Sequence, residues 1–268
     1  MGNPTLLSIF RERIWSVNRE RWFRKVVRKR RHARETGFFD SYPDFFSTSV
    51  IGAADRINQR YRALIEANAD IISGRRVLDL ASHDGRWSFA AHKAGAEYVL
   101  GIEARQHLVE AGRRTMQQYA VPAGRVEFVQ GDVLTEIDRL DRGRFETVLC
   151  FGFLYHIIDH MVLLRKIARL KPKNLVIDTA ISTLPGSVIE VNDEAVEHES
   201  AAAFGDPGNP VRAIKGRPST AALEMMLKGA GFSGVRYWDW QNAGIQRWND
   251  LEDYYVGKRV TLTATSAT

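Results

Sequence analysis

The sequence predicts an α/β fold in which a mostly parallel sheet ends in an antiparallel hairpin. From Arg75 to Ala104, a short apolar run, a loop of small and polar residues, a helical pattern and a second apolar run follow one another. The same alternation continues to Ile181, and alternating strands and helices indicate a parallel sheet with both faces covered. The last two strand patterns follow each other without a helix, which indicates a hairpin at the end of the sheet.

Seven apolar runs of strand length and five helical patterns make up this prediction, and one of these helices begins just after Gly85. Ser219 precedes the last helical pattern as an N-cap, and Gly74 and Gly231 follow two of the helices as stop signals. Strands are predicted at 77–80, 98–102, 126–129, 145–151, 174–181, 235–240 and 260–264, and helices at 55–73, 106–119, 159–170 and 220–230.

Length and composition favour one α/β domain with additions. The chain has 268 residues, of which 44% are hydrophobic and 26% charged, as in globular proteins. No apolar run approaches the roughly 20 residues of a membrane span, and the N-terminus lacks an apolar signal core, so we expect a cytoplasmic protein. The single Cys150 lies in an apolar run and has no partner for an internal disulfide.

Residues 1–50 are predicted to form a basic helical arm followed by an aromatic cover segment, with the main domain at 51–268. Between Arg11 and Arg34, eleven Lys or Arg face two Glu, so the rest of the chain is slightly acidic. We expect the arm to pack on its own domain or on a second copy in a homodimer, while a lipid or RNA contact stays an alternative. Five aromatic residues between 37 and 49 predict a segment that folds over a pocket or core.

Residues 179–216 are predicted to form a lid insertion. No clear strand pattern is present there, and Gly, Pro and acidic residues dominate. Long connections without regular structure are uncommon inside compact domains. At the ligand edge of a sheet, such an insertion is typical of a substrate lid.

Acidic residues follow three successive predicted strands. Asp79, Glu103 and Asp132 lie at the carboxyl ends of their strands, where parallel α/β sheets bind ligands. Glu103 stands about 20 residues past a loop that opens a helix, as does the carboxylate that holds a nucleoside ribose. The alternatives are that Asp132 caps the next turn and that Glu103 is a solvated strand end.

The order of elements from Ile57 to Thr265 resembles that of the class I S-adenosylmethionine-dependent methyltransferases. These enzymes have a Rossmann-like, doubly wound, seven-stranded sheet with a C-terminal antiparallel hairpin. Their first loop reads acid-x-Gly-x-Gly-x-Gly, whereas this chain has Ala81 and His83 at the first two glycine positions and keeps Gly85. The resemblance implies S-adenosylmethionine as the cofactor. A dinucleotide is disfavoured, because its pyrophosphate wants several close backbone approaches at this loop.

The resemblance also implies which residues contact the cofactor. Glu103 would accept hydrogen bonds from the ribose hydroxyls, Asp132 and the backbone of Val133 would contact adenine, and Phe151 would border the methionine part. The remaining cofactor-binding candidates belong to the first loop: Asp79, Ala81, Ser82 and Gly85.

Two further stretches, FGFLYHIIDH and GRPSTAALEMMLKGAGF, resemble methyltransferases of the tRNA wobble-uridine type, which finish a 5-oxyacetic acid group, and their small-molecule relatives. We expect the basic arm to stand in the place of that group's RNA-binding N-terminal domain, which puts an RNA substrate in doubt. We therefore expect O-methylation of a small molecule or saccharide, with tRNA modification through the basic arm as the alternative. A binding module without activity is a third hypothesis, and the signature for planar nitrogen acceptors is absent.

The candidate catalytic residues are His156 and Asp178. Imidazole changes its protonation near neutral pH, so His156 could take the proton of an acceptor hydroxyl, while a packing role is the alternative. Asp178, at the tip of the fifth strand, could orient a hydroxyl or a histidine. Glu194 and His198 are weak candidates for a Mg²⁺ site in the insertion, where a solvated acidic turn is the alternative.

Overall fold

A computed structural model describes residues 36–48, 53–197, 201–248 and 250–267. The predicted basic arm, residues 1–35, lies outside them. The described residues form the strands β1 (Arg76–Leu80), β2 (Tyr98–Glu103), β3 (Val126–Gln130), β4 (Thr147–Phe151), β5 (Asn174–Ala180), β6 (Ile189–Ala195), β7 (Arg212–Pro218), β8 (Phe232–Tyr237) and β9 (Arg259–Ser266).

Seven of these strands form the main sheet, in the order β3-β2-β1-β4-β5-β9-β8. Strands β1 to β5 are parallel, and β9 runs antiparallel to both β5 and β8. The predicted doubly wound sheet with an antiparallel end is therefore confirmed. One detail is wrong: β8 and β9 are joined by a long connection, residues 238–258, instead of a short loop.

Helices cover both faces of the main sheet. The predicted helix at 55–73 is interrupted, because the Asn68 side chain donates hydrogen bonds of 3.2 and 3.1 Å to the carbonyls of Ala63 and Leu64. The α-helices are α1 (Asp44–Ser47), α2 (Ala54–Leu64), α3 (Ala69–Ile72), α4 (Arg86–Lys93), α5 (Gln106–Gln118), α6 (Val133–Glu136), α7 (His160–Arg169), α8 (Thr220–Gly229) and α9 (Glu252–Tyr255).

Two hydrophobic cores lie on the two faces of the main sheet. Successive strand residues point to opposite faces, so Val77 belongs to one core and Leu78 to the other. In the aromatic segment, Phe39 and Phe45 are 0% and 1% exposed and pack beside Phe89 of α4. The segment therefore completes one of the cores. No helix in the described part of the chain is long and apolar enough to cross a membrane.

The predicted lid contains strands, contrary to expectation. Strands β6 and β7 pair antiparallel from Ile189 opposite Pro218 to Ala195 opposite Arg212, and they form a separate two-stranded sheet. Polar side chains predominate in both strands, because ion pairs between them replace much of the apolar packing of an ordinary sheet. We call residues 189–218 the insertion hairpin.

Candidate active site

A cavity of about 410 Å³ lies at the carboxyl ends of β1, β2 and β4. Helix α2 and the insertion hairpin, including the connection around Ala202, contribute to its wall, as do residues after β3 and Arg259 at the start of β9. Pockets of a few hundred cubic ångströms are typical of cofactor sites, and this edge of a parallel sheet is where such ligands bind. Seven of the residues predicted or discussed as site residues line it: Ala81, His83, Glu103, Asp132, Val133, Phe151 and His156.

The loop after β1 adopts the backbone of a glycine-rich loop with only one of the expected glycines. Ala81, His83 and Gly85 all have positive φ, at 53°, 55° and 77°. A left-handed conformation costs a non-glycine residue about 1–2 kcal/mol. The geometry at the substituted glycine positions is thus retained, and Ala81 and His83 add side chains to the cavity wall.

Glu103 is held in place by the backbone around it. Its Oε2 atom accepts the N–H of His83 at 3.0 Å, and its Oε1 atom accepts the N–H of Arg105 at 2.9 Å. The residue is only 3% exposed yet lines the cavity. The alternative of a solvated strand end does not fit this burial.

Asp132 both caps a helix and borders the cavity. Its Oδ2 atom accepts the N–H of Thr135 at 3.0 Å, which makes it the N-cap of α6. Asp132 and Val133 also line the cavity, together with Phe151 at the end of β4. Asp132 therefore caps the helix, as the alternative had it, and also lies on the cavity wall.

Asp79, Ser82 and Gly85 do not line the cavity but support the loop from behind. Asp79 is 1% exposed and accepts a hydrogen bond of 2.7 Å from the Ser88 hydroxyl, and burial raises its pKa to about 7. Ser82 is fully buried, with no hydrogen-bond partner for its hydroxyl among the described residues. A Cβ at Gly85 would lie 2.4 Å from Phe128. These three residues, predicted to contact the cofactor, therefore pack behind the loop instead of on the cavity wall.

The end of this loop carries a buried ion pair between Asp84 and Arg86, which the sequence analysis did not predict. Arg86 donates to Asp84 from Nε at 2.7 Å and from Nη2 at 2.9 Å. Burial opposes ionisation of Asp84, but Arg86 and His83 outweigh it and hold the pKa of that carboxyl well below its usual range. Thr48 of the aromatic segment also donates to Asp84. The aromatic segment thereby contacts the loop after β1 directly.

His156 lies in the 3₁₀ turn Leu154–His156 that follows β4, and it lines the cavity. Its Nδ1 atom is 2.6 Å from Oε1 of Glu194, a residue of β6. The two side chains are only 11% and 12% exposed. The turn therefore brings the predicted base into the cavity and pairs it with a carboxylate of the insertion hairpin.

Glu194 has protein partners in place of a metal ion. Beside His156, it accepts hydrogen bonds from Lys215 and from the N–H of Ala202. Burial opposes its ionisation, but the bonds from His156 and Lys215 prevail and lower its pKa to about 2. The other weak metal candidate, His198, lies outside the described residues, which contain no group of three His, Cys, Asp or Glu side chains arranged to hold a metal. The expectation of Mg²⁺ is not supported.

Asp178, predicted to orient a substrate hydroxyl or a histidine, is not part of the cavity wall and has protein partners on both carboxylate oxygens. It is fully buried, and Arg60 Nη2 and Arg259 Nε donate to its Oδ1 atom at 2.9 and 2.7 Å. Tyr254 and Thr261 donate to Oδ2 at 2.7 and 2.8 Å. Asp178 instead holds the two arginines, and both of them line the cavity.

Arg60 and Arg259 are cavity residues that the sequence reasoning missed. Arg259 opens β9, which is antiparallel to β5, so this residue lies opposite Ala180 at the carboxyl end of β5. That antiparallel register was the signal that could have identified it. Arg60 comes from α2, one turn after Arg56, and its guanidinium lies 5.0 Å from the centre of the Trp87 ring.

Comparison with known proteins agrees with this fold. A family model described as "Methyltransferase domain" matches residues 77–173. A tRNA U34 carboxymethyltransferase of Pseudomonas savastanoi pv. phaseolicola is 30% identical over 196 residues, which are 68% of this chain and 56% of that protein. Another protein of that name, from Desulforapulum autotrophicum, is 28% identical and covers 61% of this chain and 46% of its own length. The chain thus spans about half the length of the curated relatives it matches.

Two solved structures with S-adenosylhomocysteine bound share the fold. The N-terminal domain of EvdMO1 with S-adenosylhomocysteine bound aligns with a TM-score of 0.60 and 21% identity, over 81% of this chain and 85% of that one. The same domain with S-adenosylhomocysteine and D-fucose gives a TM-score of 0.58 at 21% identity, over 78% and 82% of the two chains. With the seven-stranded sheet and the matching family model, the chain carries a methyltransferase domain that has the class I S-adenosylmethionine-dependent methyltransferase fold.

Proposed function

We propose that this enzyme modifies a nucleoside of tRNA by transferring a group from S-adenosylmethionine, or a carboxylated form of it, to a hydroxyl oxygen. The observation that carries the proposal is His156, which borders the cofactor cavity and is paired with Glu194. The tRNA acceptor is favoured by the relatives, which are named for tRNA U34. We also propose a cytoplasmic location, where tRNA is found.

The residues around the cavity suit the cofactor. Glu103 offers two carboxylate oxygens already aligned by backbone N–H groups, a good match for two ribose hydroxyls. Asp132 and Val133 would contact adenine, and Phe151, which lines the same cavity, would border the methionine part. When bound, S-adenosylmethionine supplies a carbon centre activated by its positively charged sulfur. Acidic residues near that charge are tolerated, whereas a phosphate ligand would be repelled.

His156 would act on the acceptor. The hydroxyl oxygen forms a bond to the transferred carbon as the bond from that carbon to sulfur breaks, and the hydroxyl proton passes to Nε2 of His156. Nδ1 is engaged with Glu194, so Nε2 is the nitrogen left to take the proton. A general base typically contributes about 10²–10⁴-fold to such a step.

The transferred group is methyl or carboxymethyl, and the arginines favour testing both. The relatives are named carboxymethyltransferases. Arg259 lies beside Gly152, where a Cβ would be 3.5 Å from Nη2 of the arginine, and its guanidinium is 5.4 Å from the centre of the Tyr155 ring. Arg60 shares the same carboxylate partner, so two guanidinium groups face one buried carboxylate. The surplus of positive charge suits a carboxyl group on the transferred carbon.

A small molecule or saccharide is the second candidate acceptor. It is favoured by the insertion hairpin, which covers the cavity with the connection at Ala201 and Ala202 held by Arg105 at 2.9 and 3.4 Å. An acceptor beneath such a cover must be compact. A single nucleoside extruded from its stack also meets this condition.

The test combines bulk tRNA, sugar and small-molecule fractions with each cofactor form, and mass spectrometry of the products. A methyl or carboxymethyl increment on tRNA nucleosides supports the proposal, and an increment confined to small molecules overturns its tRNA part. Binding of tRNA should weaken steeply with salt, and replacing residues 28–31 by glutamine should reduce that slope. Calorimetry that detects no binding of S-adenosylhomocysteine would contradict the proposed cofactor. His156→Asn should abolish turnover while leaving cofactor binding intact.

A further inference from the structure

We propose that Glu194 is a positioning residue, which fixes the tautomer of His156 so that Nε2 is free to take the acceptor proton. The inference rests on the proposed role of His156. It gives the insertion hairpin a part in the chemistry, beyond covering the site, because Glu194 lies on β6.

The contact between the two side chains is short and protected from water. Nδ1 of His156 and Oε1 of Glu194 are 2.6 Å apart, and both side chains are nearly buried. A carboxylate can only accept, so the neutral imidazole must carry its proton on Nδ1. The same carboxylate stabilises the imidazolium that forms when Nε2 takes up the acceptor proton.

Glu194 is itself held from two sides. Lys215 of β7 donates to its Oε2 atom, and the N–H of Ala202 donates to Oε1 at 2.8 Å. These bonds keep the carboxylate ionised and fix its orientation, since both oxygens have partners. Lys215 also places a positive charge on the far side of the carboxylate, which weakens the pull of Glu194 on a second cation, the imidazolium.

The same network reaches the cofactor side of the cavity. Arg105 donates from Nη2 to the carbonyl of Ala201 at 2.9 Å, and its backbone N–H donates to Glu103 at 2.9 Å. Ala202 follows directly and donates to Glu194. The carboxylate proposed for the ribose and the carboxylate beside the base are therefore linked through the hairpin connection.

Other charged or titratable groups near His156 are few. Tyr155 lies against its ring, with centroids 4.1 Å apart, and Arg259 lies on that tyrosine. Asp159 is exposed at the cavity edge. Within the insertion hairpin, Glu194 and Lys215 face the histidine. Because Glu194 and Lys215 carry opposite charges, removing one or the other should shift the pH dependence of the reaction in opposite directions.

The kinetic test compares Glu194→Gln and Lys215→Met with the control Asp193→Asn. Asp193 precedes Glu194, points to the other face of β6 and pairs with Arg212. Glu194→Gln should lower kcat about 10- to 100-fold, a fraction of the usual contribution of a base, with KM for the cofactor unchanged. The acidic limb of its pH–rate profile should move to lower pH, because the imidazolium loses its carboxylate. Lys215→Met should move that limb to higher pH, and Asp193→Asn should leave it in place.

The tautomer is measured directly by nitrogen NMR of the His156 ring in the full chain. The wild type and Glu194→Gln should hold the Nδ1–H tautomer, since an amide oxygen can still accept, whereas Glu194→Leu should shift the ring towards Nε2–H. Circular dichroism checks that each variant is folded. Limb shifts of the same sign in the Gln and Met variants, or an unchanged tautomer in Glu194→Leu, would overturn the inference. Full activity of His156→Asn would instead overturn the proposed function, since the tautomer is read without turnover.

Discussion

Replacing Asp79 by Asn should change how the stability of this enzyme depends on pH. Asp79 is buried behind the cofactor loop, and burial raises its pKa from the ordinary value of 3.8 to about 7. Between these values the folded chain keeps a proton that the unfolded chain has lost, so folding stability falls as pH rises. A difference of about three pKa units corresponds to about 4 kcal/mol in total, at 1.36 kcal/mol per unit.

Most of this loss of folding stability falls within a pH range that unfolding experiments can cover. Between pH 5 and pH 8, Asp79 should cost the wild type about 2–3 kcal/mol, calculated from the two pKa values by linkage. Asn resembles the protonated acid and can still accept from Ser88, so Asp79→Asn should lack this loss. Urea unfolding followed by circular dichroism at several pH values measures the difference between the two proteins. Asp70→Asn, at an exposed position, is the control. If the wild type and Asp79→Asn lose stability in parallel, the reasoning is refuted.

Three other substitutions test the site and its support. Gly85→Ala should lower the unfolding free energy by about 1–3 kcal/mol more than Gly124→Ala does. Both glycines have φ of 77°, but only a Cβ at position 85 would clash with Phe128. Equal losses of stability in urea unfolding would exclude the clash. Asp178→Asn should lower the unfolding free energy by about 3–5 kcal/mol, because it leaves two arginines without a buried counter-charge. Asp138→Asn removes an exposed ion pair and should lower it by under about 1 kcal/mol. Similar losses of stability in both variants would contradict this reasoning. Phe204→Ala should raise KM for the acceptor and not for the cofactor, because Phe204 is 53% exposed and lines the cavity. The control is Val211→Ala, at a position that is 65% exposed and not on the cavity wall, and it should leave both KM values unchanged.

The main sheet could be predicted because its central strands are buried on both faces. Such strands read as continuous apolar runs, and the run predicted at 174–181 differs from β5 by one residue. The insertion hairpin was missed because its strands are half exposed and carry charged side chains that pair across the two strands. Local sequence gives little sign of such pairing, since Glu194 and Lys215 are 21 residues apart.

The site was predictable where a residue's role follows from its place in the chain. Ala81 and His83 take the left-handed backbone expected of the glycines they replace, and Glu103 ends its strand on the cavity wall. The role of Asp178 was not predictable, because its partners Arg60 and Arg259 lie 118 and 81 residues away. A carboxylate at a strand end faces ligand or protein according to what packs against it, and only the tertiary structure determines that.

The attachment of the insertion hairpin bears on how this enzyme could acquire new acceptors. Ser182 donates to Pro218 at 3.0 Å and Ser219 donates to Val188 at 2.8 Å, so the two ends of the hairpin are joined where it leaves the main domain. Outside Glu194, Lys215 and the connection at Ala201 and Ala202, its length and sequence can then vary without disturbing the strands that line the cavity. Evolution could exchange this unit as a cassette, and grafting the hairpin of a relative is a direct route to redesigning acceptor choice.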